Sequence, residues 1–101
     1  MDYLKKYGLS DYEISHFEEL LVEGGVDTVP FRYDSKKIMN ILDMFTSIGV
    51  TNIYGILVTN PLLFFDTINN IKKRIDGYKN SNELARLLNE DASNLSLIGM
   101  L

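Results

Sequence analysis

From the amino end, short apolar stripes alternate with glycine and proline punctuation, and almost every stripe has helical spacing. Ser10-Asp-Tyr-Glu13 has the form of a capping box, in which the Ser10 hydroxyl accepts the Glu13 amide and the Glu13 carboxylate reaches back. Behind it Ile14, Phe17, Leu20 and Leu21 recur at steps of three and four, which predicts a helix stopped by Gly24-Gly25. Val26 to Tyr33 contains Pro30 and reads as an ordered connector with room for one extended stretch. Asp34 or Ser35 then caps a second helix, striped by Ile38, Ile41, Leu42, Phe45 and Ile48, with Gly49 just past its end. Thr51 caps a short helix through Ile53, Ile56 and Leu57. Asn60-Pro61 opens another turn, because proline suits the first helical position, where an amide hydrogen has no partner. Asp66 or Thr67 caps a helix with Ile68, Ile71 and Ile75 inward. Residues 80–89 form a helix through Leu84, Leu87 and Leu88, and Asp91 opens a last one through Leu95 and Ile98. No strand pair with alternating polarity is present, so the expectation is an all-α chain of about five to six helices.

An internal repeat underlies this pattern. Pro30-Phe-Arg-Tyr-Asp34-Ser35, followed by Ile38 and Leu42, is similar to Pro61-Leu-Leu-Phe-Phe-Asp66-Thr67, followed by Ile71 and Ile75. Leu4-Lys-Lys-Tyr-Gly8-Leu-Ser10 likewise matches Phe45-Thr-Ser-Ile-Gly49-Val-Thr51. The implied unit is a helix, a Gly-apolar-Ser/Thr corner, a second helix, and a proline turn leading through Asp-Ser/Thr into the next helix. Units of this kind bury faces together that no single unit buries alone. The chain is expected to be one helical domain, 1–101, with repeat-like units at about 4–42 and 42–78 and C-terminal helices over 80–101. The segment from Leu84 to Leu97 has neither the corner glycine nor the turn proline, which suits a capping element.

The run from Phe45 through Gly49-Val-Thr51 and Asn60-Pro61-Leu-Leu to Asp66-Thr-Ile-Asn-Asn-Ile71 resembles a repeat of the mitochondrial transcription termination factor (mTERF) family. The resemblance covers one good copy, 42–78, and a poorer one, 4–42. It implies a short solenoid-type stack of helical repeats and, as partner, nucleic acid held along a positively charged face. The residues it nominates for that contact are Lys72, Lys73, Arg74, Lys79 and Arg86, with Tyr54 and Tyr78 as stacking groups.

Composition narrows the chemistry. The 101 residues include no cysteine, no tryptophan and one histidine, which removes disulfides, thiolate nucleophiles and zinc-cysteine sites. The N-terminus has no apolar run of the kind a signal peptide needs. The most apolar stretch, 53–65, is broken by Gly55, Thr59, Asn60 and Pro61, so no membrane role is expected and the expected compartment is cytoplasmic. Charge is uneven: residues 2–34 carry eight acids against Lys5, Lys6 and Arg32, a balance of −5, whereas residues 66–86 carry five bases against three acids, a balance of +2. The formal net charge of −4 opposes strong nonspecific binding to a polyanion, for which phosphate neutralisation supplies most of the affinity.

Catalysis finds little to work with. His16 faces away from the Ile14/Leu21 stripe on helical spacing, and the sequence nominates no partner to make it a general base. No phosphate-binding glycine loop, EF-hand loop or His-x3-His pair is present, and no metal or cofactor is expected. A single helix-turn-helix reader at Gly49 fails because Phe45 stands where close packing needs a small side chain. The alternative to nucleic acid is a protein partner or a second copy of the chain in a homodimer. Tyr3, Tyr7, Tyr12, Met39, Met44, Met100 and Leu101 would supply the apolar surface, and the acidic half would suit a basic partner.

Overall fold

Caps and glycines decide where each helix begins and ends. Ser10 closes the expected capping box, with its hydroxyl 3.1 Å from the Glu13 amide and its own amide 3.0 Å from the Glu13 carboxylate. The Thr67 hydroxyl accepts the Asn70 amide, the Asn80 side chain accepts that of Glu83, and the Asp91 carboxylate accepts that of Ser93. A computed structural model describes residues 1–101 as α1 (Asp11–Glu23), α2 (Val29–Tyr33), α3 (Ser35–Ser47), α4 (Ile53–Thr59), α5 (Ile68–Asp76) and α6 (Ser81–Glu90). Three 3-10 segments, Asp2–Tyr7, Pro61–Phe65 and Ala92–Ile98, complete the chain, and there is no strand. The molecule is all-helical.

Helix stops follow one rule. Gly25, Gly49 and Gly99 adopt positive φ values of 66°, 108° and 69°, and in each case the next amide turns back to the carbonyl five residues earlier. Those bonds run from Val26 to Leu21, Val50 to Phe45 and Met100 to Leu95, at 2.8, 3.1 and 3.0 Å. The left-handed glycine turns the backbone so that the following apolar residue comes back toward the helix it has just left. Val50 and Met100 are buried and Val26 is half-buried, so each stop also adds to the core.

The core runs through Phe31 on the one-turn helix α2. Its ring lies edge-on to Phe17 of α1 at 5.4 Å between centroids, and to Phe64 and Phe65 of the second proline turn at 5.8 and 5.9 Å. Phe17, Phe31 and Phe64 are fully enclosed. The Tyr3 hydroxyl donates to the Phe31 carbonyl, and the Tyr7 hydroxyl donates to the Asp43 carboxylate at 2.7 Å, which ties the N-terminal 3-10 segment over α2 and α3. Beyond this cluster α3 packs on α2 and α5, α1 on α4, and the last 3-10 segment on α4 and α6. The radius of gyration is 12.8 Å, against about 13 Å for a globular domain of 100 residues. Every fully buried side chain is apolar.

Several local expectations need correction. Residues 26–33 hold no extended stretch; the proline that suggested a break instead starts α2. The residues before Gly8 form a 3-10 segment and not an α-helix. Asn52, not Thr51, caps α4: its side chain accepts the Gly55 amide at 3.2 Å, while the Thr51 amide is held at 2.8 Å by the side chain of Asn89. Asn89 also accepts the Asn52 amide and donates to the Gly49 carbonyl, so one side chain on α6 clamps the whole second corner. The segment from Leu84 to Leu97 has no corner glycine, as expected, and Gly99, two residues beyond it, ends the last 3-10 segment.

Phe31 and Tyr3 give this packing two measurable consequences. Replacing Phe31 with Ala leaves a hole facing three aromatic rings and is expected to cost about 3–5 kcal/mol in urea unfolding, whereas Tyr33→Ala on the exposed side of the same helix stays within about 0.5 kcal/mol. Burial, with help from the nearby Asp34, pushes the Tyr3 phenol up to about 12 from its ordinary 10.0. The folded state therefore favours the protonated phenol, and this contribution to stability is full below pH 10 and is lost as pH rises toward 12. Tyr7 is displaced in the same direction, by burial and by its bond to Asp43. Urea midpoints measured across that window should fall more steeply for the natural chain than for Tyr3→Phe.

Candidate functional site

The five cations nominated by the sequence lie on α5, on the turn that follows it and on α6. Successive helical residues are turned by about 100°, so with Ile71 and Ile75 buried, Lys73 stands at the crown of α5 while Lys72 and Arg74 occupy opposite flanks. Lys72 lies on the side toward Met44 and Ile48 of α3, with its ammonium 2.8 Å from the Asp76 carboxylate. Arg74 turns the other way and donates to the carbonyls of Gly99 and Ile98 at 3.2 and 3.4 Å. Arg86 sits between Glu83 and Glu90 at 2.9 and 2.8 Å, and these carboxylates hold its pKa above the usual arginine value. Only Lys73 and Lys79 of the five have no hydrogen-bonding or carboxylate partner within reach.

The two candidate stacking tyrosines are already engaged. Tyr54 is half-buried, with its hydroxyl 2.5 Å from Nδ1 of His16. Burial, and then the nearness of Glu13 and Tyr12, raise its pKa. Tyr78 is half-buried and packs against the core. The His16 ring also stacks on Tyr12, with centroids 6.0 Å apart and planes 15° from parallel. His16 therefore has a partner that sequence spacing could not show, because Tyr54 is 38 residues away on another helix. The pair joins α1 to α4 through side chains.

The apolar surface differs from the expected set. Tyr3, Tyr7, Met39 and Met44 are half-buried and Met100 is buried; only Tyr12 and Leu101 of those seven are exposed. The large exposed apolar residues are instead Tyr12, Leu20 and Val22 on α1, Val29 and Tyr33 on α2, and Leu62 and Phe65 on the second proline turn, with Leu97 and Leu101 near the C-terminus. None lies on α3, α4, α5 or α6. A signal for this set was present in the sequence, since an aromatic residue stands immediately before the aspartate in both proline segments, Tyr33 before Asp34 and Phe65 before Asp66. The acids of α1 are partly answered: Asp11 pairs with Lys5 at 2.9 Å, Glu18 with Arg32, and Glu13 serves the cap. Glu19 and Glu23 are left one turn apart without a cation.

No three His, Asp or Glu side chains come together in a group that could hold a metal ion, and no helix is long and apolar enough to cross a membrane. No protein-family model, no curated protein sequence and no solved structure matches the chain at a significant level.

Proposed function

We propose that this chain is a non-enzymatic helical binding module, a short solenoid-type stack of mTERF-like repeats, that holds a protein partner through the exposed apolar residues of its two proline turns. The repeat reading is supported by which elements are neighbours. The Asp2–Tyr7 segment, α3 and α5 form one column, joined by the Tyr7–Asp43 bond and by the α3–α5 packing. α1 and α4 form a second column, and α2 and the Pro61–Phe65 turn a third, joined through Phe31. These neighbours favour the repeat reading, because stacked repeats set equivalent elements beside one another.

The observation that carries the choice of partner is where the unsatisfied surface lies. Of the five cations that would meet phosphate, Lys72 and Arg86 are answered by carboxylates one turn away and Arg74 is spent on backbone carbonyls. Lys73 and Lys79 alone offer too little charge on a chain of net −4, since each phosphate contact needs an uncommitted cation. Val29, Tyr33, Leu62 and Phe65 instead leave apolar area in water on the two proline turns. Nucleic acid remains the second reading, favoured by the resemblance to mTERF-like repeats and by the two free lysines.

Fluorescence anisotropy with single- and double-stranded DNA and RNA separates the two. At about 50 mM salt the expected result is no saturable binding. A complex that weakens with a log–log salt slope of about −0.7 to −0.9 per phosphate contact, and weakens further in Lys73→Gln and Lys79→Gln, would return the function to nucleic acid.

A further inference from the structure

The one histidine has a partner that the binding role leaves unused. His16 Nδ1 on α1 lies 2.5 Å from the Tyr54 hydroxyl on α4. Tyr54 packs partly buried against the core, and the His16 ring stacks on Tyr12, which is 76% exposed. Centroids are 6.3 Å apart from Tyr54 to His16 and 6.0 Å from His16 to Tyr12, so two ring contacts lead from solvent to Tyr54.

A hydrogen bond from a phenol to a base bears most directly on one reaction, the loss of an electron. Removing an electron turns the phenolic O–H into a very strong acid, so oxidation is easy only where an acceptor takes the proton in the same step. The six tyrosines differ in this respect. Tyr3 donates to a backbone carbonyl, which is scarcely basic, and Tyr7 to the Asp43 carboxylate and the Met39 carbonyl. The hydroxyls of Tyr12, Tyr33 and Tyr78 meet no acceptor within the chain. Tyr54 alone meets an imidazole, a stronger base than a carboxylate by about two to three pH units. Burial first, and then Glu13 and Tyr12, favour the protonated phenol of Tyr54 at rest, so the proton is present to be moved. Tryptophan and cysteine, the other side chains that give up single electrons easily, are absent.

We infer that Tyr54 and His16 form a proton-coupled redox pair, the site at which the chain takes up a one-electron oxidation from an outer-sphere oxidant. One electron passes from the Tyr54 ring to the oxidant, which is reduced by one unit. The Tyr54 O–H bond breaks and its proton forms an N–H bond at His16 Nδ1, leaving a neutral tyrosyl radical beside an imidazolium. This assigns His16 the tautomer with its resting proton on Nε2. An electron from a reductant such as ascorbate, with the proton returning from Nδ1, restores the phenol. Tyr12 and Tyr33, 76% and 81% exposed, are the tyrosines whose radicals would meet those of another chain and couple to dityrosine. A radical held at partly buried Tyr54 is kept from that reaction, so the pair protects the surface from covalent cross-linking.

Photogenerated tris-bipyridyl ruthenium(III), with the tyrosyl radical followed by transient absorption, tests the inference on the full chain. Tyr54→Phe and His16→Phe keep the rings, and each should slow radical formation by about 10-fold or more, because a positioned base is worth about 10²–10⁴ in a proton transfer. The other five tyrosines supply the remaining rate, and dityrosine fluorescence per electron removed should rise in both variants. His16→Gln, which keeps a hydrogen-bonding group without the basicity, should behave like His16→Phe, and Tyr7→Phe should behave like the natural chain. Helical circular dichroism shows that each variant is folded. A folded Tyr54→Phe or His16→Gln with the natural rate overturns the proposal. A loss in Tyr7→Phe as large as that in Tyr54→Phe overturns it as well, because the Asp43 carboxylate would then be the acceptor that matters.

Discussion

The structure depends on Phe31 being enclosed on all sides. It belongs to a helix of only five residues, far too short to persist by its own hydrogen bonds. What keeps α2 in place is the ring itself, which fills the space between Phe17 and Phe64 and leaves nothing of its surface in water. The Tyr3 hydroxyl then satisfies the carbonyl of the same residue and brings the N-terminal segment down over it. One side chain thereby links the first helix, both proline turns and the N-terminus. The same packing explains two exposed side chains: with Phe31 turned inward on a one-turn helix, Val29 and Tyr33 have no interior left to reach.

Sequence spacing made the long helices legible because their signals are local. The Ser10–Glu13 box, the Ile38-Ile41-Leu42-Phe45 stripe of α3 and the Thr67 cap of α5 each lie within a few residues, and each reappears at the expected place. Lys72 and Arg86, expected to face nucleic acid, have carboxylates one turn away, Asp76 for the one and Glu83 and Glu90 for the other. What stayed hidden is non-local. Asn89 reaches the Gly49 corner across about forty residues of chain, Arg74 reaches Gly99 across 25, and His16 meets Tyr54 across 38. No periodicity within a single helix carries that information. The surface set failed for a related reason: tyrosines and methionines near the N-terminus and on α3 look free on a helical wheel, and are covered by neighbours that only the tertiary fold brings to them.

Glycine corners look like marks of repetition in the sequence, and their geometry gives them a simpler origin. The apolar-x-x-x-Gly-apolar pattern occurs at Leu4–Leu9, Leu21–Val26, Phe45–Val50 and Leu95–Met100, and these four glycines are the ones with positive φ. Their spacings of 17, 24 and 50 residues follow no period. Each corner is therefore explained by the geometry of a helix stop, which needs a left-handed residue and rewards an apolar one after it. Whatever repetition the chain has resides in the order of its elements and in which of them are neighbours, a property that a motif of six residues cannot carry.

The core holds no polar side chain, and the one histidine is bonded to a tyrosine, so the polar and charged groups of the chain lie at its surface. On that surface, exposed charges are cheap to keep in water and are in large part answered locally, which makes them weak indicators of a ligand. Exposed apolar residues differ in kind. Four long or mid-length helices, α3 to α6, carry none of the large ones, so the chain is able to bury such side chains where the fold allows it. Four of the nine stand on the two five-residue turns that meet through Phe31, next to the centre of the core. A ligand covering Phe65 would press on the same aromatic cluster that holds the fold from within, so binding there and stability of the chain should be thermodynamically linked.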